Sequence, residues 1–375
     1  MYKQDLHFHL VLYLVLLFVL NSVTLWPQQL HPICHLDNLV SESSGLEIVD
    51  GRLISHNDSE GLPELFELDT VSGGIKRTIF LKNASNTDWE AVCSDDDYIY
   101  VGDFGNNYGA RTNLKIYRLS LDDYLYGDAD SLMVDTIRFR YADQSTFTAE
   151  PYASDYDAEA FLAFSDSLWI FTKNWRNAKC NIYKLAKTPG EQLAVLRDSF
   201  NTFGLITDAT YNRYTGKIVL SGYSDEYPML ISIDGFDRTP LAVKSYSRYK
   251  LDVFQGFSAK IEGIAAVSSE HYLVTSEVSV TGKAALFSLN LKEMNVDFMQ
   301  TATEDVLTYI IKENQLILSQ NTDQTRISVY NLSGKVIIES ELSPVDLSGL
   351  AAGVYIILIR DAAHFTGSRK IVIQP

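Results

Sequence analysis

Five stretches of this chain open alike and recur at nearly regular intervals. They begin at Ser44 ("SGLEIVDGRLISHND"), Glu90 ("EAVCSDDDYIYVGDFGN"), Glu159 ("EAFLAFSDSLWIFTKNW"), Asp208 ("DATYNRYTGKIVLSGYS") and Glu262 ("EGIAAVSSEHYLVTSEV"), at spacings of 46, 69, 49 and 54 residues. Each reads as four short strands, with alternating apolar and polar residues and turns such as Asp50-Gly51 and Ser72-Gly73-Gly74. A unit of this kind cannot bury both of its faces alone, so the units must stack in a ring. The expected fold class is all-β: a β-propeller of five blades, with six as the alternative count if 121–150 contributes a degenerate blade. The long interval contains an insertion, "LDDYLYGDAD", at 121–130. The segment "PICHLDNLV" at 32–40 precedes the first unit and is a candidate for the outer strand that the fifth unit lacks.

In such a blade the first strand leaves one face and the second returns to it. An acid that opens strand one therefore meets residues that close strand two. The opening acids Glu90, Glu159, Asp208 and Glu262 form the candidate metal set, with calcium as the ion. His56, Asp58, Asp103, Asn106, Asn174 and Glu277, at the ends of second strands, form the candidate ligand-binding set. Two other roles fit the same acids. They can accept backbone N–H bonds from a neighbouring blade and lock the ring. They can also act as acid–base pairs if their environments separate their pKa values.

Charge narrows the partners. Residues 29–302 carry 24 Lys and Arg against 39 Asp and Glu, whereas residues 303–375 carry 6 against 8. So acidic a body excludes nucleic acid, which needs clustered cations, and suits cations or basic ligands. No GxSxG, HExxH, CxxC or P-loop pattern occurs, and the histidines are scattered. The three cysteines, Cys34, Cys93 and Cys180, have no metal-binding spacing, and buried inert thiols are expected. Asp-Ser-Leu at 130–132 and 166–168 and Asp-Thr-Ile at 135–137 fit O-glycan acceptor sites, although exposed turns explain them equally.

The two ends read differently from the body. Lys3 precedes an apolar run from Leu10 to Leu20, the length of a signal-peptide core and short for a bilayer span. Residues 1–28 are read as a signal peptide, which leaves no stable membrane span after cleavage. The propeller is assigned to 29–300, and 303–375 to a small immunoglobulin-like β-sandwich with its own apolar pattern.

In that tail, "ISVYNLSGKV", "VDLSGLAAGVYIILI" and "RKIVI" resemble the C-terminal sorting domain of type IX secretion cargo. The Tyr-Pro-Asn-Pro-like opening common in that family is missing near 300. The resemblance implies the secretion machinery as a partner. It also implies a secreted protein, or one held on the outer-membrane surface of a Gram-negative bacterium. More loosely, the "EGI"-type strand openings and "VGDFGNN" resemble secreted propellers of the esterase-like phytase group. That resemblance implies calcium at an acidic channel mouth holding phosphate. Few cations stand near to help: Lys173, Arg176 and Arg111. The functional expectation is an extracellular binding module for an unnamed ligand. The alternative is a calcium-dependent phosphate-ester hydrolase.

Overall fold

The computed structural model describes residues 30–373, except 60, 225–226, 237–242, 244, 253–256, 258–259, 281, 292–297, 302–308, 313, 319–325, 332–334 and 362–363. The signal-peptide segment lies outside the described residues. The chain divides into two compact units. One holds 30–232 and 248–297 with Arg238–Ala242, and the other holds Phe298–Pro375 with Ile233–Asp237 and Val243–Ser247.

The first unit is nearly all strand. It opens with β1 (His31–His35). The first recurring stretch gives β2 (Ser43–Val49), β3 (Arg52–Asn57), β4 (Glu64–Leu68) and β5 (Ile75–Leu81), antiparallel in chain order. The second gives β6 (Trp89–Ser94), β7 (Tyr98–Asp103) and β8 (Lys115–Ser120). After it come helix α1 (Leu121–Tyr126), β9 (Ser131–Leu132), which pairs with β5, and β10 (Asp135–Tyr141), which pairs with β8. Residues 121–150 thus add strands to existing sheets and form no sheet of their own. The third stretch gives β11 (Ala158–Phe164), β12 (Ser167–Thr172), β13 (Lys179–Ala186) and β14 (Gly190–Asn201). A parallel β10–β14 pairing joins the second and third sets into eight continuous strands. The fourth gives β15 (Leu205–Asn212), β16 (Lys217–Tyr223), β17 (Pro228–Asp234) and β18 (Ser245–Lys250), the end of β17 and the start of β18 being counted with the second unit. The fifth gives β19 (Ile261–Ala266), β20 (His271–Ser276) and β21 (Ala285–Asn290), and β1 pairs with β21 as its fourth strand.

The first strands of the five sets touch in a cycle: β2 with β6, β6 with β11, β11 with β15, β15 with β19, and β19 with β2. Hemmed in on both sides, they read as apolar runs such as "WEAVCS", whereas the outer β10 alternates buried and exposed residues. Apolar clusters fill the gaps between neighbouring sets. Val49, Ile54, Leu65, Trp89, Val92 and Tyr117 pack between the first two, and Leu46, Leu53, Phe66, Ala265 and Leu286 between the fifth and the first. At the β2–β3 turn, Asp50 (φ 47°) and Gly51 (φ 75°) take the left-handed conformation that a tight hairpin demands. All three cysteines are free thiols, and Cys93 and Cys180 are buried.

The second unit holds β22 (Phe298–Thr301), β23 (Tyr309–Lys312), β24 (Gln315–Leu318), β25 (Arg326–Asn331), β26 (Val336–Ser340), β27 (Val345–Asp346), β28 (Gly353–Asp361) and β29 (His364–Ile373). Two sheets, β23-β24-β27 and β26-β25-β28-β29, share one core built from residues such as Leu316, Ile327, Val329, Leu347 and Ile357. No helix among the described residues is long and apolar enough to cross a membrane.

Candidate functional site

Each inner strand slips its pairing register once near its start. The slips fall between Ser43 and Leu46, Trp89 and Ala91, Ala158 and Ala160, Ile206 and Asp208, and Ile261 and Gly263. Such a bulge re-aims a side chain. The residues at the slips are Ser44 with Gly45, Glu90, Glu159, Thr207 and Glu262. The equivalent of Glu90 in the fourth set is therefore Thr207, one position before Asp208. Neighbours along a strand point to opposite faces, so one residue decides which side is reached.

Asp208 does something different from the acids it was grouped with. Its side chain is 0% exposed and accepts from the backbone N–H of Leu46 at 3.2 Å, Ile264 at 2.9 Å and Ala209 at 2.8 Å. It ties the fourth strand set to the first and the fifth, and it does not line the acidic cavity described next. The hydroxyls at the slips also make ties between sets: Ser44 donates to the Glu90 carbonyl at 2.7 Å and Thr207 to that of Ile261 at 3.0 Å.

The other three acids of the candidate metal set converge. A cavity of about 390 Å³ lies at this end of the inner strands, lined by residues that include Asp58, Glu90, Glu159, Lys173, Tyr223 and Glu262. Much of its charge is internally matched. Lys173 Nζ lies 3.1 Å from Glu159, and Lys260 Nζ lies 3.2 Å from Glu262 and 2.6 Å from Glu277. Asp157 accepts from the Trp175 indole N–H at 2.7 Å and from the backbone of Asn106. What remains is a trio: carboxylate oxygens of Asp58, Asp88 and Glu90 lie within 4.8 Å of one another. Arg111 approaches Asp88 only to 3.7 Å. Glu90 is 5% exposed, and its carboxylate has no hydrogen-bond or ion-pair partner among the described residues. One Asp58 oxygen is likewise buried without a partner. Gly105 leaves the space: a Cβ there would come within 2.1 Å of Glu90 Oε1 and 2.6 Å of the Asp88 carboxylate.

Burial raises the pKa of each carboxyl of the trio. Glu90 is pushed well above the ordinary range by burial, then by Glu159, Asp58 and Asp88. Asp58 rises to about 7 through burial and the charges of Asp88, Glu262 and Glu277. Asp88 rises to about 6 through burial, against the pull of Arg111. Lys173 is held protonated, because the surrounding carboxylates, Glu159 foremost, outweigh its burial. The folded state therefore binds more protons than the unfolded chain above the ordinary carboxylate range. Stability without added cation should fall as pH rises from 5 to 8, through the values of Asp88 and Asp58. Urea denaturation in chelator at both pH values checks the sign.

The ligand-binding set is split. Asp58 lines the cavity and Glu277 borders it through Lys260. Asp103 is engaged by Arg111 at 2.8 Å and Lys115 at 3.2 Å. Asn106 donates to the Tyr156 carbonyl, and Asn174 accepts from Thr172. His56 is buried, edge-on to Trp89 at 5.6 Å, with its pKa lowered to about 4 by burial. These four residues work inside the fold. Sequence reasoning passed over Asp88 and Asp157, although each stands two residues before a cavity glutamate, in Asp88-Trp89-Glu90 and Asp157-Ala158-Glu159.

Residues 312–374 match the family described as the secretion system C-terminal sorting domain. A tail of that family implies an exported protein. No curated protein sequence matches this chain. Among solved structures, glutaminyl cyclase of Myxococcus xanthus is similar at 12% identity, covering 71% of this chain and 96% of that one, with a TM-score of 0.39. PorZ, a surface component of the type IX secretion system of Porphyromonas gingivalis, is similar at 11% identity over 88% of this chain and 44% of that one, with a TM-score of 0.31. AztD of Citrobacter koseri is similar at 9% identity over 81% and 88%, with a TM-score of 0.34. Similarity this distant carries no function from one chain to another.

Proposed function

We propose that this is an exported five-bladed β-propeller whose acidic end binds a divalent cation, and through it an extracellular ligand, carried outward by a sandwich-like sorting tail. Five antiparallel sets whose first strands touch in a cycle support the propeller, and β1 on the last set supports a ring closed by the chain's own beginning. The observation that carries the cation is the unpartnered, buried Glu90 carboxylate beside those of Asp58 and Asp88. Three oxygen donors with no nitrogen or sulfur among them suit a hard ion such as calcium. Glu159 and Glu262, held by lysines, shape the wall. Titration calorimetry with calcium on the chain from residue 29 onward should show one saturable site, lost in Glu90→Gln. No heat above dilution would overturn the reading.

Phosphate-ester hydrolysis is the less supported use of this cavity. The lysines at its wall, Lys173 and Lys260, are already engaged by carboxylates, so an incoming phosphate meets no free cation there among the described residues. Turnover of phosphate esters that chelator abolishes would reverse that preference. For export, deletion of 312–374 should strand the protein in the periplasm. Surface display of the truncated chain at the normal level, measured by protease shaving of whole cells, would exclude a sorting role.

A further inference from the structure

A second, larger cavity lies at the opposite end of the same inner strands. Its walls come from the β2–β3 turn, the β15–β16 turn and the β19–β20 turn, where each first strand hands over to its second. It has a volume of about 670 Å³, within the range of small-molecule sites, and its lining includes Glu47, Leu53, Tyr211, Arg213, Tyr214 and Leu273. Its character differs from that of the acidic end. Here a guanidinium and two carboxylates share the wall with aromatic and aliphatic side chains and with polar ones such as Thr210 and His271.

Three charged groups line the cavity. Arg213 is exposed and has no ion pair within 4.0 Å among the described residues. Burial raises the Glu47 carboxyl to about 7, against the opposing pull of the Arg213 charge. Glu47 takes the adjacent N–H of Ile48 at 3.2 Å and is half-buried. Asp50, exposed at the β2–β3 turn, adds a second carboxylate to the lining. A cation without an ion pair and two carboxylates thus line one cavity. A zwitterion matches such a set: its carboxylate takes the planar fork of Arg213 and its ammonium takes Glu47 and Asp50. The ring of an aromatic side chain then packs on Tyr211 and Tyr214, the latter 61% exposed.

We propose that this cavity binds an aromatic amino acid or short peptide by its two charged ends, with Arg213 holding the carboxylate and Glu47 with Asp50 the ammonium. The site is separate from the cation site and stands or falls without it.

The test uses the chain from residue 29 onward with two probes, phenylalanine and phenylalanyl-leucine, followed by calorimetry and by ligand-observed NMR. Saturable one-to-one binding is expected, weakened about tenfold or more by Arg213→Ala, as loss of a charge-assisted pair would do. The C-terminal amide of the dipeptide should bind the parent protein and Arg213→Ala equally. The N-acetyl form should be insensitive to Glu47→Gln. Glu90→Gln, at the far end, should leave dipeptide binding intact. Arg213 is exposed, so its variant should melt with the parent protein, and circular dichroism checks this. Absence of saturation at millimolar probe, or binding that neither Arg213→Ala nor Glu47→Gln weakens, would overturn the proposal.

Discussion

Calcium should raise the melting temperature of the chain from residue 29 onward, by an amount linear in the logarithm of its concentration once this exceeds the dissociation constant. A ligand that binds only the folded state stabilises by about 2.7 kcal/mol at a hundredfold excess over that constant. For a domain of this size, that corresponds to roughly 5–10 °C. The physical cause is specific. Asp58, Asp88 and Glu90 hold carboxylate oxygens within 4.8 Å of one another, and among the described residues only Arg111, at 3.7 Å from Asp88, forms an ion pair with them. Burial, with the charges of Asp88, Glu262 and Glu277, places Asp58 at about 7, and burial, with those of Asp157 and Asp103, places Asp88 at about 6, so without a cation they retain protons near neutral pH. Calcium replaces those protons, so its apparent affinity should rise from pH 5 to pH 8. Glu90→Gln should flatten the calcium response and raise the stability of the cation-free protein at pH 8, because it removes one of three like charges. Calcium-independent melting in the parent protein, with calorimetry equally flat, would leave the trio as a proton-sharing element of the fold.

Asp208→Ala should be the most damaging single change at the ring. Three backbone N–H groups, from Leu46, Ala209 and Ile264, lose their acceptor in a site closed to water. Each buried donor left unsatisfied costs about 1–3 kcal/mol, so a loss of about 3–9 kcal/mol is expected. Asp208→Asn keeps one oxygen for Leu46 and Ile264 but turns an amide toward Ala209, and it should cost about a third to a half as much. Thr207→Ala removes a single hydroxyl donor, the one that reaches the Ile261 carbonyl, and should cost about 1 kcal/mol. This order, read by urea denaturation with calcium present, separates a locking acid from a cavity acid. If Asp208→Ala is no more harmful than Thr207→Ala, the locking role fails.

The division between Asp208 and Glu90 marks what sequence could and could not yield. Spacing and hairpin patterning pointed to all-β units of four strands, to an acid near the start of four of the five inner strands, and to a separate tail. Those features are local: alternation, turn residues and apolar runs act within about ten residues of chain. The trio was partly legible too, since Asp88 and Glu90 stand two apart in "TDWEAV" and adjacent alternate positions of a strand share a face. The tertiary structure decided the rest. The bulge shared by all five inner strands falls on Thr207 in the fourth, in line with the glutamates, and leaves Asp208 one position later, bonded to amides 56 and 162 residues away. Whether a carboxylate is locked, paired with Lys173 or Lys260, or left over for a cation depends on distances between strand sets far apart in sequence. A strand's own pattern carries its period and not the charges that its neighbours bring, so that assignment exists only once the sets have packed.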